Sequence, residues 1–444
     1  MINENMTVED VVALAKKLGA DDAVAQLSSV NDMQVKFANS AIAITQNWSG
    51  MSLHVFVAYK KRTASVALEN LDHAVVKASV ERLLNIAKNS QPNRDWAGLA
   101  QGPFKYIRPK DSFDPVLLNE KDRAIDWVNA AIEATKAKKA AGVLYITDEG
   151  KTLATSEGVS AQDRSTSAQL SIRAFFEHDE SGHAVVTSTT AAGFKPETAG
   201  QKAGELAKAA RKPQPGQAGK YDVIFDPLAF AGLLASVASN SSAYNVDAGY
   251  SFLAEKIGKR VAGPHVTVLD DPTAAGGLGS IAFDDEGRPT QRTPIIENGL
   301  LKTYLHNTLT AKKFNAAPTA SAGLISPAPR NVILQPGSLS RDELFSQVKN
   351  GIYVTNIWYT RFQNFRTGDF STIPRDGLFV IRNGELWRPV KGLRITDNLQ
   401  RLLENITALS NKPETILWWG MDDQIPSTTP YVLVKDLNLT LPTM

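Results

Sequence analysis

Cysteine is absent from the 444 residues of this chain. Its absence excludes disulfides, thiol nucleophiles and thiolate metal ligands, and it is compatible with a reducing compartment. The formal net charge is only +2, which gives no electrostatic reason to expect nucleic acid or an anionic membrane as a partner. No apolar run approaches the roughly 18–20 residues of a membrane-spanning helix. We therefore expect a cytoplasmic protein with no membrane and no nucleic-acid partner.

The N-terminus also lacks the apolar stretch of a signal peptide. Between Met1 and Ala20 the apolar residues are spaced for one face of a helix instead. We expect this helix from Thr7 to Leu18, with Thr7 as its N-cap and Gly19 as the residue that ends it.

Two α+β units are expected in the N-terminal half, at residues 1–91 and 115–211. In both, stretches of alternating apolar residues neighbour stretches with a helical period. The clearest alternation, at 166–176, is expected to form a hairpin with 184–188. Pro, Gly and Asp are frequent between the two units, which predicts a linker or ordered loop. The other expected strands are 34–37, 41–45, 52–59, 63–68 and 143–147, and the other expected helices are 76–87, 120–138 and 196–211.

A third, β-rich domain is expected over residues 220–444. The segment 211–220 before it contains two prolines, two glycines and no large apolar residue, which indicates a boundary. Asn298-Gly299 and Asn383-Gly384 each separate two apolar runs and predict tight hairpins. The expected class is α+β, with N-terminal α/β subdomains followed by a large, barrel-like antiparallel sheet. In this domain we expect helices at 227–240, 341–349 and 397–406, and strands at 221–226, 265–269, 331–335, 352–359, 378–381 and 431–437.

Three segments, in order, resemble the TldD/PmbA family, also called the modulator of DNA gyrase family. The similarity extends from about Tyr221 to the C-terminus, whereas the N-terminal half is compatible only in length and element order. The resemblance implies the fold of that family and its class of partner. The three segments are Ser251-Phe252-Leu253 with Lys256-Ile257-Gly258, Phe283-Asp284-Asp285-Glu286-Gly287, and Thr367-Gly368-Asp369-Phe370-Ser371 with 377–385.

The family has two branches that differ in their metal ligands. In the TldD-like branch, a His-Glu-x-x-x-His helix and a C-terminal Cys hold zinc in a peptidase site. Two His and one Cys leave a coordination position for water, whose proton the Glu can accept. The PmbA/TldE-like branch lacks these ligands and pairs with the first branch.

Counting back from the first matching segment places Leu234 and Ser239 at the two His positions and Ala235 at the Glu position. Trp419 lies in the region of the missing Cys. Because residues 222–264 contain no His, a shift of register would not restore the ligands. The resemblance thus implies a chain of the PmbA/TldE-like branch, without a cofactor or catalytic residue of its own. Zinc is expected only in a TldD-like partner.

The segment from His178 to His183 is a second candidate metal site, since its two His are five residues apart. However, the second position of the motif, which is Glu in the TldD-like branch, is Asp179 here, and the acid Glu180 stands at the third position. Gly182 would also break a helix. Strongly alternating strands flank the segment, which favours a hairpin tip over a metal site.

Two acidic clusters, Asp270-Asp271 and Asp284-Asp285-Glu286, contain ligands that a hard cation prefers. Each follows an expected strand and lies next to Pro or Gly. Turn formation therefore accounts for them before a metal does.

Gly276, Gly277 and Gly279 form a glycine-rich stretch that has neither a following helix nor a Walker lysine. It does not fit a nucleotide-binding loop. We expect these glycines to allow a peptide backbone to approach closely, or to form a flexible strand edge.

Tyr359, Arg361 and Phe362 belong to an aromatic and basic cluster that either lines a peptide groove or forms core with an ordered loop. Together with the glycines and Asp369, they are the candidate peptide-binding residues.

Three functions follow from these observations. The first is a TldE/PmbA-like subunit that pairs with a TldD-like homologue in a peptide-hydrolysing complex. Its sheet would present substrate peptide by strand addition. The second is a hydrolase that uses a different site, and the third is a non-enzymatic homodimer that binds peptides or proteins.

Overall fold

The computed structural model describes residues 6–119, 123–177 and 180–442. Helices in this part of the chain are α1 (Val8–Lys17), α2 (His73–Asn89), α3 (Pro115–Asn119), α4 (Ala124–Ala134), α5 (Pro196–Ala209), α6 (Pro227–Asn240), α7 (Ala243–Asp247), α8 (Thr308–Lys313), α9 (Arg341–Ser346) and α10 (Leu399–Glu404). Strands of the N-terminal half are β1 (Asp22–Ala38), β2 (Ala41–Tyr59), β3 (Arg62–Leu68), β4 (Lys139–Thr155), β5 (Ser160–Phe175) and β6 (Ser181–Ser188).

The remaining strands follow the predicted boundary segment. They are β7 (Gln214–Pro215), β8 (Gly219–Phe225), β9 (Val268–Asp270), β10 (Thr293–Glu297), β11 (Leu300–Leu301), β12 (Val332–Leu334), β13 (Asn350–Asn364), β14 (Asp369–Arg382), β15 (Glu385–Lys391), β16 (Arg394–Asn398), β17 (Ile406–Leu409), β18 (Glu414–Ile416), β19 (Ser427–Thr429) and β20 (Val432–Thr440).

Helix α1 begins as its sequence predicts. The hydroxyl of Thr7 accepts a hydrogen bond from the N–H of Asp10 at 3.2 Å, and the Asp10 carboxylate accepts one from the N–H of Thr7 at 2.8 Å. This capping box satisfies two of the free N–H groups at a helix start. Gly19, just beyond the helix, adopts a φ of +102°, a conformation that glycine tolerates best. The predicted N-cap and end of this helix are confirmed.

Strands β1 to β6 form one antiparallel sheet in the order β3-β2-β1-β4-β5-β6. Along β1, Ala23 and Ala25 pack with side chains of α1 and α2, whereas Val35 and Phe37 pack with side chains of α4 and α5. Because alternate residues of a strand share a face, all four helices cover the same face of the sheet. We call it the helical face and the opposite one the inner face. Both expected N-terminal units contribute to this sheet.

The C-terminal part contains two further sheets. One has the order β11-β10-β9-β12-β19-β18. In the other, β13, β8, β20, β16 and β14 pair in turn, and β14 pairs back with β13, which closes a five-stranded barrel. All these barrel pairs are antiparallel except β13 with β8. The predicted α+β class with a barrel-like C-terminal domain is confirmed.

Helix α6 lies between these two sheets. It packs against β8 and β13 on one side and against β12, β18 and β19 on the other. Twelve of its 14 residues are buried, as expected of a helix that is apolar around its whole circumference. The predicted limits of this helix, 227–240, are confirmed.

Both Asn-Gly turns form the predicted hairpins, with Asn298 and Asn383 at φ +50°. Several other predictions were too short or misplaced. Residues 34–37 and 41–45 belong to strands of 17 and 19 residues, because the half-exposed central parts of β1 and β2 have little apolar alternation. The expected helix at 120–138 extends only from Ala124 to Ala134, and its first three expected residues lie outside the described residues.

None of the helices in the described part of the chain is long and apolar enough to cross a membrane.

Candidate functional site

The N-terminus of α6 is fixed by Asp226. Its Oδ1 accepts a hydrogen bond from the N–H of Leu228 at 3.0 Å, and its Oδ2 accepts one from the hydroxyl of Tyr353 at 2.7 Å. Lys202 lies 3.1 Å from the same carboxylate. These contacts join the start of α6 to the barrel and to α5, so the helix that carries the aligned metal positions is rigidly placed.

The three aligned positions on α6 have different surroundings. Leu234 is fully buried in the main core, among residues of the barrel and α6. Ala235 is fully buried in a separate cluster that contains Trp418 and Met421. Ser239 is half-buried, and its carbonyl oxygen accepts a hydrogen bond from Nδ2 of Asn245 at 2.8 Å.

The loop after β18 lies against the same side of α6 as Ala235. Trp418 is 2% exposed and packs in the cluster that contains Ala235, whereas Trp419 is 52% exposed. The hydroxyl of Ser236 donates to Oδ2 of Asp423 at 3.0 Å, which ties this loop to the helix. The indole of Trp418, and not that of Trp419, therefore fills the space beside α6.

This arrangement does not fit a zinc ion. The side chains of Leu234 and Ala235 have no atom that binds a metal, and Trp418 packs in the same buried cluster as Ala235. Across residues 6–119, 123–177 and 180–442, no three His, Cys, Asp or Glu side chains are grouped so that they could hold a metal ion together.

Strands β5 and β6 form the predicted hairpin, but His183 lies within β6 and not in its tip, and it is 1% exposed. His178 and Asp179, the other half of that candidate, lie outside the described residues. Nε2 of His183 is 2.9 Å from Oγ of Ser171 on β5. Nδ1 of His183 is 3.9 Å from Oδ2 of Asp376 on β14. Serine, histidine and aspartate thus meet between the inner face and the barrel.

The hydrogen bonds around His183 argue against a hydrolytic triad. Nδ2 of Asn356 lies 3.0 Å from Nδ1, and the Arg173 guanidinium lies 3.4 Å from the same nitrogen. Both are donors, so Nδ1 accepts and the proton is on Nε2, which donates to Ser171. A catalytic base needs an unprotonated Nε2 that accepts the serine proton. Burial first, and then Arg173, lower the pKa of His183 to about 3.

Asp285 joins the N-terminal sheet to the C-terminal part. Its Oδ1 accepts hydrogen bonds from Nζ of Lys151 on β4 and from the Arg330 guanidinium, both at 2.7 Å. Burial raises the pKa of Asp285, but Arg330 and Lys151 outweigh it and hold that pKa below its usual value. This acid is thus part of a charge network and is not a free ligand.

The other predicted acidic residues are also bonded within the chain. Asp284 accepts from the N–H groups of Glu286 and Arg288 at 3.0 and 2.9 Å, as expected of a turn residue. Asp270 instead accepts from the N–H groups of Arg330 and Asn331, both at 2.9 Å, so it joins the end of β9 to the chain before β12, and turn formation does not account for it.

Burial is also the main influence on the titration of these acids. It raises the pKa of Asp270 to about 6. It likewise raises the pKa of Asp284 to about 6 and that of Glu286 to about 7, and the neighbouring Asp284 carboxylate adds to the shift of Glu286.

The glycine-rich stretch packs against the chain before β12. A Cβ on Gly279 would lie 1.7 Å from the carbonyl oxygen of Arg330, and one on Gly277 would lie 2.3 Å from Nδ2 of Asn331. Gly276 adopts a φ of +64°. Close backbone packing within the chain accounts for these glycines, and their predicted role in peptide binding stays a prediction.

The aromatic candidates lie at the far end of β13. Tyr359, at φ +55°, interrupts the pairing with β14 and is 48% exposed. Arg361 covers the Tyr359 ring at 5.6 Å and pairs with Asp422 at 3.4 Å. Phe362 packs against the main core, and the Asp369 carboxylate accepts from Nδ2 of Asn398 at 2.9 Å.

Two cavities open on the inner face of the N-terminal sheet. The polar inner cavity, of about 800 Å³, is lined by Glu149, Lys151 and Arg330, by serines of β1 and β2, and by Gly279 of the glycine-rich stretch. The apolar inner cavity, of about 600 Å³, is lined by Ile44, Phe175 and Trp419 among others. Neither of these cavities includes Tyr359, Arg361, Phe362 or Asp369.

Sequence reasoning missed four residues that lie where the N-terminal sheet meets the C-terminal part. They are Ser171, Arg173, Lys151 and Arg330. A signal for the first two was present in the alternation of β5. The apolar residues of that strand predict one buried face, and the polar residues between them must point to the other face. Nothing in the sequence indicated that the barrel covers this second face.

Two family models match the chain. The model of the PmbA/TldA metallopeptidase C-terminal domain matches residues 218–441, and that of the central domain matches residues 115–211.

Curated relatives match over different lengths. The chain is 27% identical to a metalloprotease PmbA homologue of Haemophilus influenzae over 426 residues, which cover 92% of this chain and 91% of that protein. It is 35% identical to a metalloprotease of Methanocaldococcus jannaschii over 224 residues, or 48% of each chain. In that match the chain spans about half the length of its relative.

Solved structures show the same fold at low sequence identity. TldE from Thermococcus kodakarensis has a TM-score of 0.86 at 20% identity, with 97% of this chain and 99% of that chain covered. A Thermotoga maritima protein described as a modulator of a DNA gyrase has a TM-score of 0.84 at 23% identity, with the same shares covered.

Proposed function

The chain belongs to the PmbA/TldD metallopeptidase family, and we propose that within it this protein is a TldE/PmbA-like subunit without a zinc centre of its own. It pairs with a TldD-like chain, and the complex hydrolyses peptides or unfolded protein segments. Zinc and the catalytic water belong to the TldD-like chain.

One observation carries the proposal: the helix aligned with the zinc motif is apolar and closed off. Leu234 and Ala235 face two different buried clusters, so neither position opens into a cavity where water and substrate could meet. Trp418 covers Ala235 from the side of the C-terminal loop. A catalytic zinc site needs three ligands and one open position, and these positions offer neither.

Two further observations support the pairing. The relatives include proteins named PmbA and proteins named TldD homologues, so the family contains both kinds of chain. The inner face of the N-terminal sheet carries two open cavities, and His183, which contacts Ser171 beside the apolar one, is held in the tautomer that does not activate that serine.

The decisive experiment uses the full chain, alone and co-expressed with a TldD-like homologue. We expect no stoichiometric metal in the chain alone, a complex of the two chains in solution, and hydrolysis of an unfolded protein substrate that rises when this chain is added. A TldD-like variant with the first His of its motif changed to Ala is the control. With that variant the complex forms, but hydrolysis is lost.

Other outcomes point elsewhere. If this chain stays alone and leaves the activity of the homologue unchanged, the proposal is wrong. Stoichiometric metal in the chain alone, or cleavage that is abolished by His183→Ala, would indicate a hydrolase with a different site. A homodimer that binds peptides without cleaving them would indicate the non-enzymatic function.

A further inference from the structure

One edge of the N-terminal sheet has no neighbour in the part of the chain that the structure describes. Strand β2 pairs with β1 along its whole length, from Ala41 to Ala58, but β3 covers its other side only from Leu53 to Tyr59. The stretch from Ala41 to Ser52 is therefore an open strand edge of 12 residues. We call it the open edge.

From Ile44 to Ser52, the open edge lacks the features that keep exposed strands apart. Natural edges carry charges, prolines or bulges that prevent another strand from pairing. The sequence of the open edge, AIAITQNWSGMS, has no charged residue and no proline. A bulge lies at Ala43, because Lys36 pairs with Ile44 and Phe37 pairs with Ile42, and the register is regular from Ile44 to Ser52. Every side chain from Ala43 to Ser49 is exposed, including Ile44 at 43%.

Backbone groups on this edge require a strand as their partner. In an antiparallel pair, alternate residues direct their N–H and C=O groups away from the existing neighbour. About six residues of the open edge thus present free donors and acceptors in a straight row. Only an extended chain matches that spacing.

The two inner cavities lie along this edge. Ile44 lines the apolar inner cavity together with Trp419, and Ser49 to Ser52 line the polar inner cavity. A strand added to the open edge would carry its alternate side chains past both openings. The open edge is thus continuous with the inner face, where the proposed complex would receive its substrate.

From these observations we propose that the open edge pairs with the equivalent strand of the TldD-like subunit, so that the two N-terminal sheets form one continuous antiparallel sheet. This inference rests on the proposed function, which supplies a partner of the same family. Antiparallel pairing about a pseudo-twofold axis perpendicular to the sheet places both helical faces on one side. Both inner faces then form a common floor on the other side.

A permanent partner fits this edge better than a transient peptide does. An uncharged edge left open between substrates would pair with any exposed strand and aggregate. A subunit strand covers it at all times, and antiparallel pairing would place the Ile44 end of this chain opposite the C-terminal end of the partner's edge strand.

Amide hydrogen exchange tests this assignment directly. In the chain alone we expect the outward amides of the open edge to exchange quickly. In the complex with the TldD-like homologue, they should exchange at least about tenfold more slowly, since they would lie in the interior of a sheet. If the complex forms but the amides of residues 41–52 exchange as quickly as in the chain alone, the inference is wrong. Slowing that requires only a second copy of this chain, or only an unfolded peptide, would also overturn it.

A pair of isoleucine variants gives a second test. Ile44→Lys places a charge on the open edge, and Ile86→Lys places one at an equally exposed isoleucine of α2, on the helical side. We expect the first to raise the Kd of the complex at least about tenfold and the second to change it less than about twofold. Equal thermal unfolding midpoints for both variants would show that each is folded.

The results separate this inference from the proposed function. If the wild-type chain binds and activates the TldD-like homologue, but Ile44→Lys binds as tightly as Ile86→Lys, the function stands and the open edge is not the interface. If the wild-type chain forms no complex, the proposed function itself is wrong.

Discussion

Lys151 and Arg330 share one carboxylate oxygen, Oδ1 of Asp285, and each lies 2.7 Å from it. Lys151 belongs to the N-terminal sheet, and Arg330 precedes β12. Two cations that would repel each other are thus held together by one acid. Burial first, and then Arg330, lower the pKa of Lys151, which shows how closely the three groups interact.

Removing that acid is expected to weaken the contact between the two halves. Asp285→Asn would leave Lys151 and Arg330 facing each other without the carboxylate that both contact, and it should lower the free energy of unfolding by about 3 kcal/mol. Chemical denaturation at neutral pH would measure the loss. Asp247→Asn is the matched control, because Asp247 pairs with Lys313 at the same distance of 2.7 Å but is about 40% exposed. Its cost should stay below about 1 kcal/mol, and equal costs would contradict the prediction.

The adjacent tryptophans 418 and 419 should respond very differently to truncation. Trp418→Ala would empty a buried volume beside α6 and is expected to cost about 3–5 kcal/mol of unfolding free energy. Trp419→Ala removes a ring that is half exposed, so its cost should be below about 1 kcal/mol. Urea denaturation of both variants checks this. Similar losses for the two would mean that the assignment of the buried ring is wrong.

Two glycines provide a paired test of backbone packing. Gly279→Ala would drive a methyl group into the carbonyl oxygen of Arg330 and should cost about 2–3 kcal/mol. Gly232, within α6, has no atom within 4 Å of an added Cβ. Gly232→Ala should therefore be neutral or stabilise by up to about 1 kcal/mol, since alanine favours helix. Thermal denaturation would show shifts of opposite sign, and a stable Gly279→Ala protein would argue against the close approach.

The buried His183 predicts a specific pH dependence. Its pKa is lowered from 6.5 to about 3, so the unfolded chain takes up a proton near pH 6.5 that the folded chain refuses until about pH 3. The stabilisation by neutral His183 is thus complete above pH 6.5 and is lost as the pH falls. Between pH 6 and pH 4, the wild type should lose up to about 1.4 kcal/mol per pH unit relative to His183→Gln.

The comparison with a variant is necessary because other groups titrate in the opposite sense. Asp270 and Glu286, whose pKa values are raised to about 6 and 7, favour the folded state as the pH falls through the same range. Denaturation curves at several pH values, for wild type, His183→Gln and the exposed His265→Gln, would separate these effects. Parallel curves for wild type and His183→Gln would refute the prediction.

Local signals were sufficient to predict many of the elements. Thr7 caps α1 and Pro227 starts α6 because capping and proline effects depend on neighbouring residues alone. The Asn-Gly turns form hairpins for the same reason. The central parts of β1 and β2 were missed because their burial depends on what covers the inner face, and no local pattern contains that information.

Of the candidate site, the sequence identified the positions but not the contacts. Leu234 and Ala235 followed from counting along α6, and their side chains alone exclude metal binding. From the sequence, the adjacent Trp418 and Trp419 both lie in the region of the missing Cys, and only the structure shows that Trp418 is the buried one. Neighbouring residues in a loop have no periodicity that would distinguish the buried one from the exposed one.

By itself, the sequence determined the chemistry that this chain can offer. A chain without cysteine has no thiolate to offer a metal or a substrate, however it folds. Only the tertiary structure decided which groups meet. It brought Ser171, His183 and Asp376 together from three distant strands and gave His183 the tautomer that does not activate a serine. It also left the edge of β2 open, because strand pairing depends on where the chain turns back and not on the composition of the strand alone.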